Sequence, residues 1–303
     1  MELRPPRSTG LFGLLALLGA GSTFFGCDET IAAPPEINQA YTLWGALDPT
    51  AGVQTLRVIA ITDMLSPNSA PPPNVTVEST DEATGVETAW RHTTVAYDDG
   101  STGHLFVADM RPEYASRHRL RVTPHLGDEL AVDVPVPVFV EPTVALVGLP
   151  PGDARYAIDW PGAPQVNAVR LEYTILEPGC RMGTHLLPFR GDVEETETGW
   201  RMTFRLEEDS VELRNRFPRM SPLEAPPRLG LIRLRAIAEV ASSTWRGLPE
   251  DRAALVQPNV FTNIENGFGF VGAAYETSLS WAPTPDEVRR TRMFFHPNRS
   301  SEC

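Results

Sequence analysis

The sequence predicts a mostly all-β fold: two β-sandwich-like domains, the first immunoglobulin-like or transthyretin-like, with one short helix near the C-terminus. Apolar and polar residues alternate with period two over many short segments, the signature of strands with one buried face. The 23 glycines and 29 prolines, about a sixth of the chain together, are too many for a helical protein and usual for short strands joined by turns. With 303 residues, 42% of them hydrophobic, the chain is long enough to bury two cores of ordinary size.

Charge narrows the function classes. The chain has 26 basic residues, all of them arginine, against 39 acidic ones, for a net charge of −13. An acidic surface argues against nucleic acid, whose phosphates need clustered positive charge. Collagen-like, coiled-coil and multi-span membrane folds fail because their periods or repeated long apolar runs are absent. Arginine in place of lysine suits a GC-rich genome, and the acidic excess suits a salty habitat; neither names an activity.

Residues 1–26 read as a lipoprotein signal peptide. Arg4 and Arg7 give the positive start, Leu11 to Ala20 the apolar core, and Gly26 the small residue before Cys27. The apolar run is too short to span a bilayer. Phe24-Phe25-Gly26-Cys27 resembles the lipobox of bacterial lipoproteins, which implies that the Cys27 thiol is acylated and becomes the new N-terminus. At about 0.8 kcal/mol per buried methylene, two or three acyl chains hold a protein in a membrane effectively for good. Residues 27–38 then form a polar, Ala/Pro-rich linker suited to an extended tether. Asp28-Glu29 resembles the acidic export signal of Bacteroidota surface lipoproteins.

A first domain is expected over residues 39–143. Strands are predicted at Tyr41–Leu47, Gln54–Thr62, Val75–Glu78, Val86–His92, His104–Asp109, His118–Thr123 and Glu129–Val134, with turn signals such as Asp48-Pro49 and Asp98-Asp99-Gly100 between them. That density of strands suggests an immunoglobulin-like or transthyretin-like sandwich. Val134–Val140 carries two prolines and so cannot be a central strand; it is expected as an edge or an interdomain connector.

A second β-rich domain is expected over residues 144–303. Val169, Leu171, Tyr173 and Ile175 alternate with Arg170, Glu172 and Thr174; similar alternation runs through Trp200–Leu206, Ile232–Val240 and Tyr275–Trp281. Thr284-Pro285-Asp286-Glu287 combines an N-cap, a first-turn proline and a capping box, which predicts a helix from Pro285 to about Met293. With Cys27 committed to lipid, Cys180 and Cys303 remain. They either pair in the oxidising envelope or stay as two thiols; a bond between them would add at most about 4–5 kcal/mol.

Near the C-terminus stands Asn263-Ile264-Glu265-Asn266-Gly267-Phe268-Gly269-Phe270. With the lipobox, the sandwich-like first half and the length, it resembles a family of Bacteroidota lipoproteins called domain of unknown function 4249, in which an Asn-Ile-Glu-x-Gly-x-Gly stretch lies close to the end. Val271-Gly272 departs from the aromatic that commonly precedes the next glycine there. Members are often encoded beside TonB-dependent outer-membrane receptors. The resemblance therefore implies an accessory or binding role in the envelope, on one side or the other of the outer membrane, and supplies no catalytic residue. From the residues alone, Asn263, Ile264, Glu265, Gly267 and Gly269 read as structural, because closely spaced glycines permit backbone approaches closed to other residues. A phosphate cradle would need a following Lys-Ser/Thr and a helix, and has neither.

No local catalytic signature is present: no Gly-x-Ser-x-Gly elbow, no His-Glu-x-x-His, no P-loop. The 6 histidines are scattered, though strand pairing can bring distant ones together. Asp98-Asp99 and Glu207-Glu208-Asp209 lack the ligand alternation of a calcium loop and are expected in solvated turns. Ser66–Asn74 is expected as a stiff exposed loop, and Arg289, Arg290, Arg292 and Arg299 as a basic tail that pairs with the chain's own carboxylates. The expectation is a non-enzymatic envelope lipoprotein without metal or other cofactor, held to the membrane by lipid and binding an outer-membrane receptor. An adhesin or structural envelope protein is the alternative, and a hydrolase with converging distant groups the third.

Overall fold

The computed structural model describes residues 41–61, 72–96, 102–148, 154–178, 181–217, 229–245, 262–289, 291 and 293–295. The signal peptide, Cys27, the 27–38 linker, Cys180 and Cys303 lie outside these residues, as do Asp98-Asp99, most of the Ser66–Asn74 loop, His296 and the arginines at 290, 292 and 299.

The fold is β-rich throughout, and two sandwiches account for it. The first pairs β1 (Tyr41–Leu47), β2 (Gln54–Ala60), β6 (Thr102–Ala108) and β5 (Arg91–Ala96) in one sheet. Its second sheet has the order β4-β3-β7-β8, from β4 (Glu87–Ala89), β3 (Val75–Asp81), β7 (Arg117–Pro124) and β8 (Leu130–Pro135). The single strand expected at Val86–His92 is in fact two. β4 pairs with β3 and β5 with β6, and the chain changes sheets at Trp90. The cause is the indole, which is buried in the core and donates Nε1–H to Ser79 Oγ at 3.0 Å, while its backbone N–H bonds Val77 O.

The second sandwich stacks β9 (Thr143–Gly148), β10 (Arg155–Pro161), β14 (Gly199–Arg205) and β13 (Val193–Thr196) against longer strands: β11 (Gln165–Glu177), β12 (Arg181–Pro188), β15 (Gly230–Ala241) and β16 (Phe268–Trp281). Alternation places Leu171, Tyr173 and Ile175 on β11, Met202 and Phe204 on β14, and Leu234 and Ala236 on β15 in one core. Glu207-Glu208-Asp209 do not form a turn. They open helix α1 (Leu206–Asn215), whose Leu206, Ser210 and Leu213 are buried at helical spacing. Acidic residues in the first turn and Arg214 in the last suit the helix dipole.

The C-terminal helix is present but short. In α2 (Pro285–Arg289), Thr284 N–H donates to Glu287 Oε2 at 2.6 Å, half of the expected capping box at close range. It does not run on to Met293, because the chain returns to the sheet. β17 (Phe294–Phe295) pairs parallel with β15 at Gly230, where the Phe294 ring fills the space a Cβ would take.

One strand joins the two sandwiches. The first half of β16, Phe268–Ala273, pairs parallel with β1; the second half, from Ala274 to Trp281, pairs antiparallel with β15. The result is a nine-stranded sheet running through both cores. Ile264, Val271 and Ala273 fill the first core, while Tyr275 fills the second. A cut near residue 143 would therefore part the first core from side chains that complete it.

That junction rests on Gly269. Its φ is +104°, and a Cβ there would lie 2.0 Å from Leu43 O, a backbone atom that cannot turn aside. Gly85, with φ +70°, has nothing within 4 Å of the same point. Gly269→Ala is expected to cost about 2–4 kcal/mol in urea unfolding, and Gly85→Ala about 1 kcal/mol, since only the first adds a clash to backbone strain.

Candidate functional site

The Asn263–Gly269 segment is built as a latch. On the side of β16 away from β1, the Asn263 side chain takes the place of a missing strand: Nδ2 donates to Val271 O at 2.7 Å and Oδ1 accepts from Val271 N–H at 3.1 Å. Glu265 forms a two-way backbone bridge with Ala131, and its carboxylate meets Arg119 at 2.9 Å, which also holds Asp133 at 2.8 Å. Asn266 donates to Glu129 O. A Cβ at Gly267 would meet Leu130 Cδ2 at 2.4 Å. The motif's polar groups are spent on the chain itself, holding β8 against β16.

A groove lies where the connector crosses the junction. Residues 136–142 form no strand, and Tyr275 pins them: its hydroxyl accepts from Val140 N–H at 2.7 Å and donates to Val138 O at 3.0 Å. Burial raises the Tyr275 pKa to about 12, so the hydroxyl stays a donor. This holds Phe139 outward, 63% exposed, edge-on to Tyr114 at 5.3 Å, while Tyr114 meets Tyr275 edge-on at 5.1 Å. The three aromatic rings stand with Glu141, Glu276, Thr277 and Ser278 around about 540 Å³, beside a second hollow of about 570 Å³ lined by Arg111 and Glu113. Thr50, which borders both, is fixed by Asp48 and Arg111, and the turn that carries it is held by the buried Gln54 amide. That amide accepts from Asp48 N–H and donates toward the carbonyls of Asp48, Ala51 and Met110. Phe139 stands in a stretch the sequence marks as a connector. Nothing in its local pattern reveals that Tyr275 lies beneath it.

A smaller cleft of about 360 Å³ lies at the first turn of α1, between Arg155, Arg190, Arg205, Glu208, Asp209 and Glu212. Arg205 pairs with Glu208 at 3.4 Å, and Arg190 with Glu212 at 3.5 Å. Asp209 turns inward and accepts the hydroxyl of the fully buried Tyr173. Burial raises the Asp209 pKa to about 6, and Glu212 and Glu208 add to the rise, while the Tyr173 bond opposes it. A carboxyl with that pKa can hold or release a proton near neutrality. The helical spacing of Leu206, Ser210 and Leu213 was the sequence signal that separates Asp209 from a solvated turn. Its tyrosine partner carries no such signal.

Histidine placement differs along the chain. His118 is buried with neither ring nitrogen bonded, and desolvation lowers its pKa. His185 meets Glu177 at 2.9 Å. His92 and His104 meet each other. Among the described residues, no three His, Cys, Asp or Glu side chains converge as a metal site.

No family model matches the chain, and no curated protein matches it. Solved structures give distant likenesses. A tetra-tandem repeat in the extending region of a large adhesion protein has a TM-score of 0.21 at 13% identity, over 80% of this chain and 49% of that one. Bovine butyrophilin has 0.19 at 11%, over 80% and 99%. Pullulanase from Anoxybacillus sp. LM18-11 has 0.21 at 11%, over 72% and 26%. The chain thus spans about half of the adhesion repeat. At these TM-scores no function transfers.

Asp209 and His118 give stability opposite dependences on pH. Asp209 binds its proton more tightly folded, with a pKa of about 6, than unfolded at about 3.9. Its contribution is full below about pH 4 and lost as pH rises through about 6. His118, lowered by folding, contributes above about 6.5, and that stability is lost as pH falls. Asp209→Asn is expected to gain about 1–2 kcal/mol at pH 8 and nothing at pH 4, measured by urea unfolding at both.

Proposed function

We propose that this chain is a non-catalytic, lipid-anchored lipoprotein of the cell envelope that serves as an accessory or binding module for an outer-membrane protein of the TonB-dependent type. The lipobox-like ending at Cys27 and the resemblance to the Bacteroidota lipoprotein family support the location. The observation that carries the binding role is Phe139, a large apolar ring held out from a pinned connector over an aromatic groove. Its backbone is fixed by Tyr275, so docking on it costs little ordering entropy. Aromatic anchors backed by rigid structure are the usual centres of protein interfaces.

Asp209 favours a second function, hydrolysis, because a half-buried carboxyl with a pKa of about 6 stands in an open cleft with two further carboxylates. Turnover of a glycoside, ester or peptide substrate by the wild type, abolished in Asp209→Asn, would place the chain among the enzymes.

The binding role is tested by pull-down from detergent-solubilised membranes with wild type, Phe139→Ala and Cys27→Ala. Wild type is expected to recover an outer-membrane receptor in stoichiometric amount, and Phe139→Ala to lose at least about tenfold of it, as for an interface anchor. Cys27→Ala is expected to leave the membrane fraction. A wild type that stays with membranes and captures no receptor favours an adhesin or structural protein. A Cys27→Ala variant that still fractionates with membranes removes the lipoprotein assignment.

A further inference from the structure

Two of the histidines become neighbours through strand pairing. β5 and β6 run antiparallel with Thr94 opposite His104 and His92 opposite Phe106, so His92 and His104 are diagonal neighbours on one face of the sheet. His92 Nε2 and His104 Nδ1 lie 3.0 Å apart, with ring centroids at 5.2 Å and planes at 24°. The His92 ring rests against Phe106, which belongs to the first core, at 5.4 Å. Among the described residues β5 is the last strand of its sheet, and His92 is exposed, so solvent reaches the pair at the rim of the core.

Two neutral imidazole nitrogens cannot both present lone pairs to each other; one ring must donate, or a cation must stand between them. Metal–nitrogen bonds of about 2.0–2.1 Å set two nitrogens on one ion about 2.9–3.4 Å apart, from square to tetrahedral angles. The 3.0 Å separation in this pair falls inside that span. We propose that His92 and His104 form a bidentate surface site for a late first-row divalent transition-metal ion, with water completing the coordination shell. Imidazole nitrogen suits Cu2+, Ni2+ and Zn2+ and does not suit Mg2+ or Ca2+, and the general affinity order puts Cu2+ first. An ion held there clips β5 to β6 at an open sheet edge and stabilises the folded chain by mass action. The site is independent of the groove at Phe139 and of any receptor.

Cu2+ alone is the probe. The detergent-purified full chain is titrated by calorimetry and by electron paramagnetic resonance, beside His92→Ala, His104→Ala and the double variant, with His104→Asn as the conservative change. The expected result is one tight equivalent with two nitrogen ligands in the wild type. Each single variant should bind at least about tenfold more weakly and show one nitrogen fewer, because the second ligand no longer acts intramolecularly. Zn2+ should displace Cu2+ when in excess. Circular dichroism should be unchanged, since the pair lies at the rim. Single variants that bind as tightly as the wild type overturn the site, as does a wild type no tighter than the double variant.

Discussion

Everything downstream of the fold depends on one backbone contact: Gly269 lying directly against Leu43, which lets β16 run parallel to β1. No side chain fits between those strands at that point. Because the contact forms, the first half of β16 closes the first core with Val271 and Ala273, and the second half carries Tyr275 into the other core. The two sandwiches thereby share a continuous sheet in place of a flexible hinge. The Asn263 amide is the complement of that arrangement. Once β16 leaves β15, the open edge of its first half would expose Val271 N–H and C=O, and Asn263 satisfies both.

The same strand sets the geometry of the groove. Tyr275 follows Ala274, where the pairing passes from β1 to β15, and its hydroxyl catches two backbone groups of the connector. Pro135 closes β8 and Pro137 follows two residues on, so the ladder with β7 ends there; the polar groups of the next residues need other partners, and a single buried tyrosine supplies two of them. Phe139 points outward as a result. The connector and the aromatic cluster are thus one piece of architecture: the residue that holds the connector also backs the rings.

How much was legible beforehand varies with the range of the contact. Alternation at Val169–Ile175 or Trp200–Leu206 is local, and the strands lie where it predicts, because period two depends only on which face is buried. Thr284 to Glu287 is local too, and the capping bond forms. Local pattern failed where a side chain or a distant strand decided. Trp90 breaks an apparently continuous strand because its indole needs the core between two sheets. Asp209 turns inward from an acidic run because the Tyr173 hydroxyl waits on β11. The groove aromatics Tyr114, Phe139 and Tyr275 come from three separate parts of the chain, and His92 and His104 meet only through the register of β5 on β6.

The sequence by itself determined a mostly β chain, its net acidic charge, its turn-rich strands and its short capped C-terminal helix. Each follows from residue type and near spacing, where backbone sterics and hydrophobic periodicity act within a few residues. Tertiary structure alone decided that a strand from the C-terminal region completes the N-terminal core, which carboxyl is buried, and which rings and imidazoles share a surface. Those outcomes depend on pairing between separate elements, from neighbouring strands such as β5 with β6 to segments as distant in sequence as β1 and β16. Such pairing is chosen by the packing of whole faces, and no window along the chain contains it.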